Sequence, residues 1–338
     1  MDAKYILRVM KGASFEKMKG AIDKVHEKSG KNKVATFFDM LLCAKKYGAG
    51  YYDYQVFGFA NLNAKQRETY MTRVTSRNLN MFLNDPEYTH FFDNKDEFNE
   101  LFAKYIRRDW LNLEKAGKED VAKFVEGKET FFAKPRDGEC GHGVEKLRTA
   151  DFADIDALYD YLKGGKFFIL EEQIRQHEAL ERMHPGSVNC MRIITLIDDS
   201  GVPHCIYVTQ KLGKGDLYID NNTLFSPVDM ETGKIKYPAH SGDTTLGIIY
   251  TEHPDTHIHI QGYQIPYVQE AIAMCLEAAT VVPQVRYVGW DVAVAEDGPM
   301  FVEGNTFCAH DFWQLPPHTP DKTGMMPIIQ KYAPSFHR

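Results

Sequence analysis

The chain lacks most of the features that reveal a protein's class directly. Its six cysteines (Cys43, Cys140, Cys190, Cys205, Cys275 and Cys308) are scattered, with no CxxC pair. That excludes a zinc-ribbon framework and favours reduced thiols in a cytoplasmic protein over a disulfide scaffold. No uninterrupted apolar run approaches ~18 residues, so no integral membrane segment is expected. The opening stretch, MDAKYILRVMKGASF, has no apolar h-region followed by a small-residue cleavage site. Like charges form no block and the net charge is −7, which argues against nucleic acid as a partner. There is no internal repeat and no low-complexity segment. The G-x-x-x-x-G-K-[ST] phosphate loop is missing, and no Ser or Cys sits in a nucleophile elbow.

What is present is a chain of 338 residues with 43% hydrophobic and 12% aromatic content. That is enough for one large domain or two to three subdomains. Residues 1–92 read as mainly helical. SFEKMKGAIDKVHEKSG and KVATFFDMLLCAKKYG carry apolar residues at three-to-four spacing and stop at glycines. A further helix is expected to start at Asn63, whose side chain can cap the first turn. Residues 93–168 mix helices with strands: KDEFNELFAKYIRRDWL and EDVAKFVEG read as helices, and ETFFAKP and VEKL as strands around a glycine-rich loop. Residues 169–338 hold the strands VNCMRIITLID and PHCIYVTQKLG, a helix in IPYVQEAIAMCLEAATVVP, and a closing hairpin. The class is α+β with largely antiparallel pairing, because hairpin-length links outnumber long crossovers.

Four segments carry chemistry. The first is the hairpin GWDVAVAEDGPMFVEGN. A turn centred on Asp297-Gly298 needs an amide at residue 299, and Pro299 has none. A three-residue loop, Glu296-Asp297-Gly298, avoids that amide and places Gly298 in the left-handed position. In that register Asp291 faces Glu303, with Asn305 on the same face. Three hard oxygen ligands together suit magnesium, although a solvent-facing polar strip explains the pattern equally well. The second segment is FFAKPRDGECGHGVEKL, where Lys134 ends an apolar strand and the following glycines can turn backbone amides toward phosphate. His142, at the loop tip, reads as solvent-exposed or phosphate-adjacent rather than as a metal ligand. The third is FFILEEQIRQH, a strand ending in Glu171 and Glu172. The backbone from Glu172 to Ile174 can pair with an adenine edge, or the segment is an ordinary strand end. The fourth is SVNCMRIITL with YVTQKLG. Here Arg192 and Lys211 lie in β-patterned runs and need an anionic partner, either polyphosphate or an internal carboxylate. His253, His257 and His259 read as a loop, since no third metal ligand is evident beside the alternating pair His257 and His259.

The order of these segments resembles the ATP-grasp superfamily: a lysine before a glycine-rich loop, a Glu-containing hinge, basic phosphate contacts, then Asp and Glu-x-Asn. The wording of GWDVAVAEDGPMFVEGN, QH…SVNCMRIITL and HPDT…IP is similar to the sugar-transfer-associated ATP-grasp family. YGAGYYDYQVFGF…R and RRDW also match, so the resemblance covers most of the chain. One departure follows YIDNN, where Thr223-Leu224-Phe225 stands in place of a glycine pair.

The resemblance implies two α+β subdomains gripping ATP, with a helical amino-terminal region. Lys134 would contact the inner phosphates, and Gly138, Gly141, His142 and Gly143 would cover them. Glu171, Glu172, Gln173 and Ile174 would hold adenine. Gln176, His177 or Glu178 would reach the ribose, and Lys95 would be a further nucleotide contact. Arg192 and Lys211 would be catalytic, and Asp291, Glu303 and Asn305 would hold magnesium. His310 or Asp311 would orient the acceptor. The implied activity is ATP-dependent ligation of a small-molecule carboxylate to an amine through an acyl phosphate. A sugar acid or glycan precursor in cell-envelope biosynthesis would be the substrate, with glycan-biosynthesis enzymes as possible partners. A phosphotransferase acting on a hydroxyl and a non-catalytic nucleotide-binding module are the rivals.

Overall fold

A computed structural model describes residues 15–136, 143–215 and 223–337. The amino-terminal helices form as their patterns predict. Phe15–Ser29 buries Met18, Ala21 and Val25 on one face. Lys33–Tyr47 is capped by Asn32 and ends at Gly48 in the left-handed conformation. Asn63 caps the helix Ala64–Glu68 in a reciprocal box with Gln66. Two orphan amides are thereby satisfied.

Two antiparallel sheets follow. The first has four strands in the order β1-β4-β2-β3: β1 (Trp110–Asn112), β2 (Thr130–Pro135), β3 (Glu145–Arg148) and β4 (Phe167–Glu172). The helices Lys118–Val125 and Ile155–Gly164 bury Val121, Phe124, Leu158 and Leu162 with its Phe131, Ala133 and Leu170. The boundary expected at residue 168 falls inside β4, which pairs wholly within this sheet. The long helix expected over KDEFNELFAKYIRRDWL also breaks. It runs as Lys95–Leu101 and Ala103–Ile106, stops at Arg107 with φ 51°, and releases Trp110 into the edge strand. The two arginines of RRDW therefore lie in a link between helix and sheet.

The second sheet has seven strands in the order β11-β10-β5-β6-β7-β8-β9. They are β5 (Met191–Ile197), β6 (Pro203–Leu212), β7 (Leu224–Val228), β8 (Ala239–Ser241), β9 (Ile249–Tyr250), β10 (Tyr287–Ala295) and β11 (Gly298–Asn305). Period-two alternation divides its side chains between two cores. Ile193, Val208, Val288 and Trp290 pack on the helix Val268–Ala279. Ile194, Leu196, Tyr207 and Tyr287 pack on Leu79 and Leu83 of the helix Arg73–Leu83 and on Ile329. Arg192, Lys211 and Asp291 occupy the second of these faces by strand parity. No helix among the described residues is long and apolar enough to cross a membrane.

Candidate active site

The closing hairpin has the expected pairing but reaches it by a different route. Asp291 does lie opposite Glu303. The loop, however, is two residues long, Glu296-Asp297, with Ala295 paired to Gly298 at φ 126°. Pro299 then pairs with Val294. Directly opposed antiparallel residues alternate between bonded and non-bonded positions. The position after the closing pair is non-bonded, so it asks no amide of Pro299. A bulge opposite Asp291/Val292 leaves Val302 as the extra residue and shifts the register by one. It is this bulge, and not a longer loop, that brings Glu303 to Asp291.

Asp291 is buried on β10 between β5 and β11 and directly opposes Arg192. Arg192 grips it with two nitrogens: Nε donates to Oδ1, and Nη2 donates to Oδ2 at 2.8 Å. Lys211 Nζ reaches Oδ2 at 3.5 Å. Burial opposes ionisation of Asp291, but Arg192 and Lys211 outweigh it and hold the carboxyl well below the usual range. Gly289 makes this geometry possible, since a Cβ there would lie 3.2 Å from Arg192 Cδ and 2.9 Å from Cys308 Sγ. Glu303 behaves in the opposite way. It keeps contact with solvent, yet surrounding protein first, and then the Asp291 charge, push its pKa up. Asn305 Nδ2 donates to Glu303 Oε1 at 3.3 Å and to Gly289 O at 3.4 Å.

The four-stranded sheet presents a matching cluster. Glu171 is buried and accepts from Lys134 Nζ at 2.8 Å and from Arg108 Nε and Nη2 at 3.1 and 2.8 Å. Burial again opposes its charge, and Arg108 and Lys134 overcome it, lowering its pKa to about 2. Arg108 also donates to Phe301 O at 2.5 Å and to Val302 O at 3.4 Å. It therefore bolts the first sheet to the bulge of the second. Lys134 is near enough to Glu303 to act on its charge. The four-stranded sheet thus carries Lys134 and Glu171, and the seven-stranded sheet carries Asp291, Glu303, Arg192 and Lys211.

The remaining candidates divide. Gly143 has φ 76°, whereas Gly138, Gly141 and His142 lie outside the described residues. Lys95 Nζ donates to Arg136 O at 3.2 Å. Glu172 is tied to the edge strand, with its amide on Asp109 O at 2.9 Å and its carboxylate on Asp109 N at 3.1 Å. Its amide is therefore already used. The Gln173 side chain accepts from Thr130 Oγ1, and Ile174 packs on Ala293, Ala295 and Met300. Gln176 does not suit ribose. Its Nε2 donates to Glu181, His184 O and Ser187 O at 2.9, 3.0 and 3.0 Å, and its Oε1 accepts twice from Asn189. It braces residues 173–190, the strap that leads from β4 into β5. His177 caps the helix Glu178–Met183 through Nδ1, and Glu178 pairs with Arg182 at 3.6 Å.

His310 and Asp311 lie just past Asn305 and are held from the amino-terminal region. His310 Nε2 meets Asp53 Oδ1 at 2.8 Å. Asp311 Oδ2 accepts from Tyr52 OH and from Thr244 Oγ1, the latter at 3.2 Å. Physical reading of the sequence missed Arg108, Asp53 and Tyr52. Their only signal was the family wording around RRDW and GYYDYQVFGF.

Residues 74–326 match the profile of a family described as sugar-transfer associated ATP-grasp. No curated protein matches. Solved structures with similar regions are distant. The ATP-grasp ligase PsnB, complexed with a phosphomimetic variant of its minimal precursor, Mg and ADP, is 16% identical with a TM-score of 0.40, over 67% of this chain and 54% of that one. The N5-carboxyaminoimidazole synthetase of Staphylococcus aureus, complexed with ADP, is 8% identical with a TM-score of 0.42, over 65% of this chain and 46% of that one. The chain spans about half the length of such proteins.

Proposed function

The chain belongs to the sugar-transfer associated ATP-grasp family, and from that premise we propose that it is an ATP-dependent carboxylate–amine ligase. The observation that carries the reading is the pairing of Glu303 with Asp291, with the Asn305 side chain bonded to Glu303 and Lys134 near enough to act on the Glu303 charge. The donor set fits a magnesium ion. Glu303 is exposed to solvent beside Asp291, and the surrounding protein first, then the Asp291 charge, raise its pKa. Asn305 offers its Oδ1 beside it. Asp291 is the most committed of the three, because Arg192 already binds both its oxygens. Held by these residues, magnesium would supply positive charge that offsets the phosphates of a bound nucleotide.

Lys134 would meet the inner phosphates after exchanging part of its contact with Glu171. Arg192 and Lys211 would face the γ-phosphate, each held in place by Asp291. The substrate carboxylate attacks the γ-phosphorus, the bond to the β-γ bridging oxygen breaks, and ADP leaves. The amine then attacks the acyl carbon, the C–O bond to phosphate breaks, and inorganic phosphate leaves with one amine proton passed to a base. The work is mainly positioning and charge neutralisation. Asp53 fixes the Nε2–H tautomer of His310, which leaves Nδ1 as an acceptor. His310 is thus the best-placed base for the amine, and the amino-terminal region would serve the acceptor side. The substrate class is a sugar acid or glycan precursor of cell-envelope biosynthesis, and the compartment is the cytoplasm.

Hydroxylamine trapping tests the reaction. A screen of uronic and nucleotide-sugar acids with ATP and magnesium should yield a hydroxamate together with ADP. ADP formed only with hydroxyl acceptors, and no hydroxamate, would establish a phosphotransferase instead. ADP release that survives Glu303→Ala unchanged would remove the metal assignment.

A further inference from the structure

Three side chains outside the Glu171 and Asp291 clusters converge where the strap into β5 meets the turn after β9. They are His184, His253 and Asp255, each with one possible ligand atom within 4.8 Å of the others. The sequence reading set the nearby histidines aside for want of further ligands. His257 and His259 indeed take no part, and the partners come from His184, far upstream, and from Asp255. His184 is 3% exposed, and neither of its ring nitrogens has a hydrogen-bond partner. Two unmet nitrogens in a buried ring are costly. The nearest anionic oxygen to His184 Nδ1 is Asp255 Oδ2 at 3.8 Å, too far for a hydrogen bond.

His253 is oriented as an imidazole ligand would be. Its Nε2 meets Gly213 O at 2.7 Å, so the proton sits there and Nδ1 holds a lone pair. The other contact at Nδ1 is a long approach of 3.3 Å from the Asp255 amide. A ring N–H anchored on a carbonyl is the usual support of a metal-bound histidine. The two rings stack at 5.4 Å with 28° between planes. Asp255 is exposed, so the fourth side opens on water.

We propose that His184, His253 and Asp255 bind one divalent transition-metal ion of the zinc class, at a site separate from Asp291, Glu303 and Asn305. Two imidazoles with one carboxylate suit zinc, whereas magnesium takes oxygen donors. Gly215 N donates to Asp255 Oδ2 at 2.6 Å. The ion therefore ties the strap at His184 and the turn at His253 to the loop that leaves Lys211.

The test is competition for zinc between the chelator-stripped full chain and a chromogenic chelator, with cobalt absorption as a second readout. The expected result is one ion per chain and a cobalt d–d spectrum. Asp255→Asn, at an exposed position, should weaken binding at least about tenfold, and His184→Gln should do the same. Binding of ADP with magnesium should be unchanged in Asp255→Asn. No stoichiometric zinc in the wild type, or unaltered affinity in Asp255→Asn, overturns the proposal even if His184→Gln fails to fold.

Discussion

Glu171 and Asp291 are the same device built twice. Each is a buried carboxylate on an inner strand, held by one arginine and one lysine: Arg108 and Lys134 for the first, Arg192 and Lys211 for the second. Both are kept ionised against the pull of burial. The difference lies beside them. The Glu171 cluster holds one carboxylate between two cations, while the Asp291 cluster has Glu303 as well, disfavoured in its charged form. The first cluster is closed and joins two sheets through Arg108. The second has an excess acceptor, and the proposed cation site rests on it.

Breaking the two clusters should therefore give different results. The largest effect is on stability: Glu171→Ala or Asp291→Ala leaves an arginine buried without its partner. Each should cost about 3–5 kcal/mol in urea unfolding. Glu303→Gln should leave the urea midpoint undiminished while ADP release falls about 10²–10³-fold, the usual loss for one group facing transition-state charge. A Glu303→Gln protein as unstable as Asp291→Ala would erase the distinction.

Acid sharpens the comparison further. The Glu171 pKa is lowered, so its contribution is present above the ordinary value of 4.5 and is lost as pH falls toward about 2. Glu171→Gln should flatten that limb of the stability profile. Glu303 is raised, so its ionisation costs stability as pH climbs through and above 4.5. Glu303→Gln should accordingly gain in thermal midpoint at pH 7 relative to pH 4. The smallest effect concerns the turn. Gly298→Ala forces a side chain into φ 126° and should cost about 1–3 kcal/mol in urea unfolding, without changing magnesium affinity.

The legible part of the fold was local. Capping by Asn63, glycine stops and period-two strands needed only neighbouring residues. The hairpin was half legible. Pro299 correctly signalled a constraint on the turn, but a loop of two residues with a bulge at Val302 satisfies it as well as a loop of three. Counting residues does not distinguish those two solutions. Arg108 was not legible from physics, because its partners Glu171 and Phe301 lie 63 and 193 residues away. The break at Arg107 was hidden for a related reason: the helical pattern continues in sequence, and only pairing with β4 pulls Trp110 out of it. Asp53 and Tyr52 were not legible from physics because their partners His310 and Asp311 are distant in sequence.

The central claim is that Glu303, and not the closed cluster at Glu171, completes a cation site for the nucleotide. Titration of ADP calorimetrically, with and without magnesium, tests it most directly in the wild type and in Glu303→Gln. The account predicts that magnesium tightens ADP binding in the wild type and that this gain disappears in Glu303→Gln, while metal-free binding stays the same. An undiminished magnesium effect in Glu303→Gln would contradict it.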